Sequence, residues 1–194
     1  MAANDGPVPM GNVGAGAGAR SGSVKGGLGT ASALLPNGVV VGAIVAINSS
    51  GSTFNTTTGQ FFAGYITSNA DLTIAMGPSP SDPDRDELLR ATTIAVVATN
   101  AQLTKAQANK IAQMADDGLA RAIRPAHGTG DGDTVFTLAT GAVTASPNIT
   151  QIGGAAADVV SRAIIRAIVA AKGIHTGSCN VNSYCELFPQ GCHS

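Results

Sequence analysis

The sequence predicts a mixed α/β fold, and three observations carry that expectation. The run VVVGAIVAIN at residues 39–48 is apolar and of strand length. From Leu103 to Ile123 the apolar residues recur at helical spacing, and a second helical pattern covers about residues 154–172, with strand-like segments between the two. Strands and helices that alternate in blocks pack as layers around a shared core. With 194 residues and 44% apolar content, the chain can bury one substantial core in one domain or a small two-lobed one.

Taken in order, residues 11–32, GNVGAGAGARSGSVKGGLGTAS, are rich enough in glycine to be loop or closely approached backbone. The unbroken apolar character of 39–48 predicts a strand covered on both faces. GQFFAGYIT and DLTIAM, ending at Met76, have the character of further strands, and residues 77–87, with three prolines and four acids, form an exposed linker. A strand then opens on two hydroxyls in RATTIAVVATN, residues 90–100. In the first helix Thr104 is the cap with Gln107 three residues on, and Ile111, Ala115, Leu119 and Ala122 belong to the apolar stripe, which Pro125 ends. HGTGDGD, residues 127–133, is a tight loop leading into the strand TVFTLAT. In the second helix Val159, Val160, Ala163, Ile164, Ala167 and Ile168 face inward and Arg162 and Arg166 outward. The three cysteines, Cys179, Cys185 and Cys192, lie in a tail of about residues 173–194. Their spacing is not that of a paired C-x-x-C zinc site, so the tail reads as a loop with free thiols and at most one adventitious disulfide.

Composition excludes several function classes. A net charge of −1 with 12% charged residues offers no basic face for nucleic acid. No segment is long and apolar enough to span a bilayer, and MAANDGPVPM lacks the charged and apolar regions of a secretory signal, so a soluble cytoplasmic protein is expected. Asn-x-Ser/Thr matches at Asn48, Asn55 and Asn148 mean little in that setting.

Thr92 and Thr93 suit a strand by propensity alone. Chemistry offers a second role. A threonine that becomes a chain N-terminus carries its own base, because the freed α-amine, with an ordinary pKa of roughly 8, can accept the hydroxyl proton. Making such a residue requires an exposed linker upstream, a small residue at the cut and a rigid strand downstream, and residues 77–98 supply all three around Ala91 and Thr92.

Several motifs in order, GNVGAGAGA, KGGLGTAS, ATTIAVVATNAQLTKAQ, DDGLARAIRPAH, DGDTVF and the closing SYCELFP, resemble the self-processing β-aminopeptidase family, which includes L-aminopeptidase/D-esterase enzymes and nylon-oligomer hydrolases. The resemblance runs from Gly11 to about Ala171 and resumes at SYCELFP. It implies a DmpA-like four-layer α/β/β/α sandwich, here a partial one whose N-terminal portion is missing. It also implies one hydrolase domain over 1–194, divided by self-cleavage between Ala91 and Thr92 into segments 1–91 and 92–194, with the linker at about 77–91. Carried over by position, Thr92 is the nucleophile, Asp131 and Asp133 match the acidic pair or its serine-acid equivalent, and Asn48 matches an asparagine that stabilises the oxyanion. Asp131 and Asp133 alternate with glycines, so both also suit a turn, and Asn48 suits a strand end. Ala91 stands where the family commonly has Asn or Gly. The family's lysine aligns with Ser23, and Lys25 is its nearest substitute. His127, just past a helix end, reads as a partner of the helix dipole and stays outside the expected site.

The activity implied is an aminopeptidase or amidase acting on short peptides or amide oligomers through an acyl-enzyme on Thr92. No metal or organic cofactor, no nucleic acid and no membrane is involved, and a homo-oligomer is expected. The alternative is a catalytically inactive fragment serving as a structural or partner-binding unit.

Overall fold

Alternation along the chain decides which side of each strand meets the helices. The computed structural model describes residues 6–66, 91–144 and 147–192. After a 3-10 turn at Gly14–Gly16 come β1 (Arg20–Ser21), β2 (Val24–Lys25), β3 (Gly27–Leu34), β4 (Val40–Ile47), β5 (Ile94–Ala101), α1 (Lys105–Ala122) and β6 (Thr134–Val143). They are followed by α2 (Ile149–Ala170), β7 (Ile174–Thr176), β8 (Cys179–Val181) and α3 (Tyr184–Leu187). Four strands form one sheet in the order β3-β4-β5-β6. β3 and β4 pair antiparallel from Gly27↔Ile47 to Leu34↔Val40, β5 runs antiparallel to β4, and β6 runs parallel to β5 after the α1 crossover.

Both long helices cover one face of this sheet. α1 packs on α2 and β6, and α2 on β3 and β4. Val41, Val45 and Ile47 of β4 and Ala95 and Val97 of β5 are buried with Ile111, Leu119, Val160, Ile164 and Ile168 of the helices. The other face carries Leu34, Val40, Ile94, Phe136 and Leu138, all exposed. VVVGAIVAIN is thus a strand as expected but is helix-covered on one face only: its residues alternate between buried and partly exposed. One helical layer and one sheet are the part of the layered architecture that the described residues build.

α1 begins at its expected cap. Thr104 Oγ1 accepts from Gln107 N at 3.2 Å and Gln107 Oε1 accepts from Thr104 N at 2.8 Å, a complete capping box. α2 starts earlier than its pattern suggests, because Asn148 Oδ1 accepts from Gln151 N and caps a first turn that runs into Gly153 and Gly154. The described part of GQFFAGYIT, residues 59–66, is not a strand. Phe61 makes an isolated bridge with Phe54, and Gly64–Ile66 is a 3-10 turn. Phe61 instead joins an aromatic cluster with Phe54, Tyr184 and Phe188. DLTIAM and the 77–87 linker lie outside the described residues. KGGLGTAS departs in the other direction: most of it is β3, with the backbone closely approached by α2.

The tail is packed rather than loop-like. Tyr184 and Phe188 are buried, Tyr184 Oη donates to the Gly59 carbonyl at 2.8 Å, and Cys185 and Cys192 form a disulfide. Cys179 is a free, exposed thiol. His175 bridges Asn180 at 2.7 Å and Glu186 at 3.1 Å. The Asn180 contact, then Glu186, pushes the imidazole pKa up. Among the described residues no helix is long and apolar enough to cross a membrane.

Candidate active site

Strand alternation separates the two threonines. Ala91 and Thr93 are buried, whereas Thr92 between them is exposed. Thr92 lines an open pocket of about 240 Å³ with Ala15, Gly18, Ala19, Ala46, Asn48 and Ile94. The walls are small and apolar, so the polar groups of the pocket come from Thr92, Asn48 and the backbone of the glycine-rich turn.

Asn48 follows the last residue of β4, and its Oδ1 accepts from Arg20 N at 3.0 Å. That bond engages the carbonyl end of the amide, and the NH2 end carries the side chain's donors. The turn opposite is built around Lys25. Its Nζ donates to the carbonyls of Gly16 and Ala19 at 2.7 Å and of Gly26 at 2.8 Å. The residue is only 1% exposed, and burial pulls its pKa down to about 8. The ammonium thus stays protonated at neutral pH, with three acceptors for its three donors. Lys25 holds the glycine-rich turn in shape, and through Ala19 and Gly16 it acts on the pocket wall.

The aspartates tie the DGD loop to the segments bearing Asn48 and Thr92. Asp131 Oδ1 accepts from Ser50 Oγ at 2.7 Å and Ser50 N at 3.2 Å, and its Oδ2 accepts from Gly128 N at 2.9 Å. Asp133 Oδ1 accepts from Thr93 N at 2.9 Å. Its carboxylate is only 3% exposed. Gly132 between them lies against Thr92: a Cβ added there would stand 2.9 Å from Thr92 Oγ1. Thr92, Asn48, Asp131 and Asp133 are therefore gathered around one place, with Lys25 one layer behind.

His127, assigned from the sequence to the helix dipole, has another position. Its Nδ1 lies 3.0 Å from Asp133 Oδ2 and its Nε2 3.4 Å from Asp116 Oδ2 on α1. The residue adopts φ 54°, left-handed backbone uncommon for a side chain other than glycine. The imidazole bridges two carboxylates and orients the one that holds the Thr93 amide. The sequence carried no signal for this beyond the place of His127 in the same loop, because Asp116 reaches it only through the packing of α1. No cluster of three His, Cys, Asp or Glu side chains among the described residues is arranged to hold a metal ion.

The family described as Peptidase family S58 matches residues 1–181. An uncharacterized aminopeptidase of Mycobacterium leprae is 43% identical over 204 residues, with 95% of this chain and 54% of that protein covered. One of Mycobacterium tuberculosis is 37% identical, with 94% and 58% covered. The chain thus spans about half the length of the curated relatives it matches. Among solved structures, a Burkholderia sp. beta-aminopeptidase superposes with a TM-score of 0.69 at 26% identity, over 93% of this chain and 52% of that one. An L-aminopeptidase D-Ala-esterase/amidase from Ochrobactrum anthropi, a prototype for the serine aminopeptidases with a variant of the Ntn-hydrolase fold, superposes with a TM-score of 0.67 over 93% of this chain and 51% of that one. At 24% identity that second likeness shows the fold alone.

Proposed function

Because the chain belongs to peptidase family S58, we propose that it is an amide hydrolase of the N-terminal-nucleophile type, an aminopeptidase or amidase for short peptides or amide oligomers, matured by its own cleavage between Ala91 and Thr92. The observation that carries this reading is the exposure of Thr92 at the pocket between a buried Ala91 and a buried Thr93. A hydroxyl presented there, on a segment fixed on both sides, meets both its own preceding carbonyl and a substrate in the pocket.

In the proposed reaction the freed α-amine of Thr92 takes the hydroxyl proton as Oγ1 attacks a substrate carbonyl. The Asn48 amide donates to the oxyanion, the substrate amine leaves, and water releases the acyl group from Oγ1. Asp131 and Asp133 are positioning residues: the first fixes the segment after Asn48 through Ser50, the second fixes the backbone beside Thr92 through Thr93 N. Their bonds to these segments support that role over a purely local turn.

The test is the mass of the purified chain and of Thr92→Ala after incubation at neutral pH. The wild type should resolve into two chains, one beginning at Thr92, and turn over a small amino-acid anilide, whereas Thr92→Ala should stay single and inactive. Cleavage persisting in Thr92→Ala would put the nucleophile elsewhere. A second reading, an inactive unit that serves as a structural or partner-binding piece, draws on the open apolar sheet face. It predicts one intact chain in both samples.

A further inference from the structure

We propose that Gly132 is a positioning residue for the cleavage at Ala91, its N–H holding the carbonyl that is attacked and its bare Cα leaving room for the hydroxyl that attacks. The inference rests on the self-processing reading above and names a part of the machinery outside the threonine, asparagine and aspartate set.

Two observations meet at this glycine. Gly132 N donates to the Ala91 carbonyl at 2.8 Å, while Ala91 N donates to Gly130 O at 3.2 Å, so the residue before Thr92 is gripped from both sides. In a regular parallel ladder the next rung would run from Thr93 N to the Gly132 carbonyl. Here Thr93 N donates to the Asp133 carboxylate instead, and the backbone ladder resumes with Thr134 N donating to Thr93 O at 3.0 Å. The missing rung is that from Thr93 N to Gly132 O, directly after Thr92, and Gly132 faces the Thr92 side chain. The second observation is steric. A Cβ on Gly132 would lie 2.9 Å from Thr92 Oγ1, closer than side-chain carbons approach other heavy atoms, and would displace the hydroxyl.

The chemistry gives both features a purpose. Thr92 Oγ1 bonds to the Ala91 carbonyl carbon and its proton passes to the Thr92 nitrogen. The charge that develops on the Ala91 oxygen falls where the Gly132 N–H already points. The C–N bond then breaks to free the Thr92 amine and leave an ester between Ala91 and Oγ1, and water hydrolyses that ester to the Ala91 carboxylate and the Thr92 hydroxyl.

The experiment follows the appearance of the two chains by denaturing mass spectrometry in four proteins: wild type, Gly132→Ala, Thr92→Ser and the double variant, with a thermal midpoint for each. Gly132→Ala should slow cleavage on the order of a hundredfold, the scale reached when reacting groups move by about 1 Å or lose a donor. Serine lacks the branching methyl that restricts χ1, so its hydroxyl has a rotamer clear of the added Cβ, and the double variant should cleave about tenfold faster than Gly132→Ala. A glycine needed only for folding would not be rescued by a serine at residue 92. Gly132→Ala cleaving at the wild-type rate, or a double variant no faster than Gly132→Ala, overturns the inference while leaving the self-processing reading intact. A wild-type chain that never cleaves overturns both.

Discussion

Thr93 is fully buried, on the same side of the strand as Ala95 and Val97, and its Oγ1 has no hydrogen-bond partner among the described residues. A buried hydroxyl without a partner costs on the order of 1–3 kcal/mol relative to an apolar group of the same shape. Thr93→Val should therefore unfold at the same or a higher temperature than the wild type and keep the cleavage and hydrolysis proposed for Thr92. A fall in midpoint of several degrees would mean that the hydroxyl has a partner in solution. The contrast between neighbouring threonines follows from strand alternation, and Asn48, Asp131 and Asp133 were legible as positions in a motif. His127 was not. Its partners come from an aspartate on α1 and another six residues along the loop, and the left-handed backbone that brings it there has no mark in the sequence. Lys25 was legible only as a nearby cation; three carbonyl acceptors around one ammonium are a property of the folded turn.

β3 and α2 approach each other more closely than side chains allow. A Cβ on Gly29 would run into the Ala163 carbonyl and stand 2.6 Å from Ala167 N, while one on Gly42, on the outer face of β4, would find nothing nearer than 3.9 Å. Gly29→Ala must push helix and sheet apart and should cost about 1–3 kcal/mol or more in urea unfolding. Gly42→Ala, which only restricts the unfolded chain, should be neutral or gain up to about 1 kcal/mol. Equal effects would deny that the close approach is real. The same glycines explain what the sequence concealed. A strand that meets a helix with Gly27 and Gly29 carries little of the β-branched signature by which strands are recognised, so 11–32 reads as loop or closely approached backbone, and the close approach is found within a strand. α1, which turns an ordinary amphipathic stripe to the core and has a capping box, was readable to within two residues at each end. Residues 59–66 failed in reverse: Phe61 is there for the aromatic cluster, and its apolar neighbours imitate a strand.

On the scale of the whole molecule, helices cover one face of the sheet among the described residues. Phe136 and Leu138 are 54% and 59% exposed on β6, an edge strand, with Ile94 beside them and Val40 and Leu34 farther along the same face. An apolar sheet face at an open edge favours pairing with other chains. The chain on its own should self-associate in sedimentation experiments, and replacing Phe136 and Leu138 together by lysine should shift it towards monomer without unfolding it; a monomeric wild type would show that this face needs no cover. The strand order carries a consequence of another kind. β4, which precedes Ala91 in the chain, lies between β3 and β5 and pairs along its length with β5, which follows Thr92. Tyr184 likewise reaches Gly59, and Lys25 N donates to Asn182 O. Opening the backbone between Ala91 and Thr92 therefore removes a covalent bond without separating any two bodies. From that moment the same fold is a complex of two polypeptides, and its unfolding becomes a dissociation governed by mass action, so that its thermal midpoint falls on dilution more steeply than that of the uncut chain.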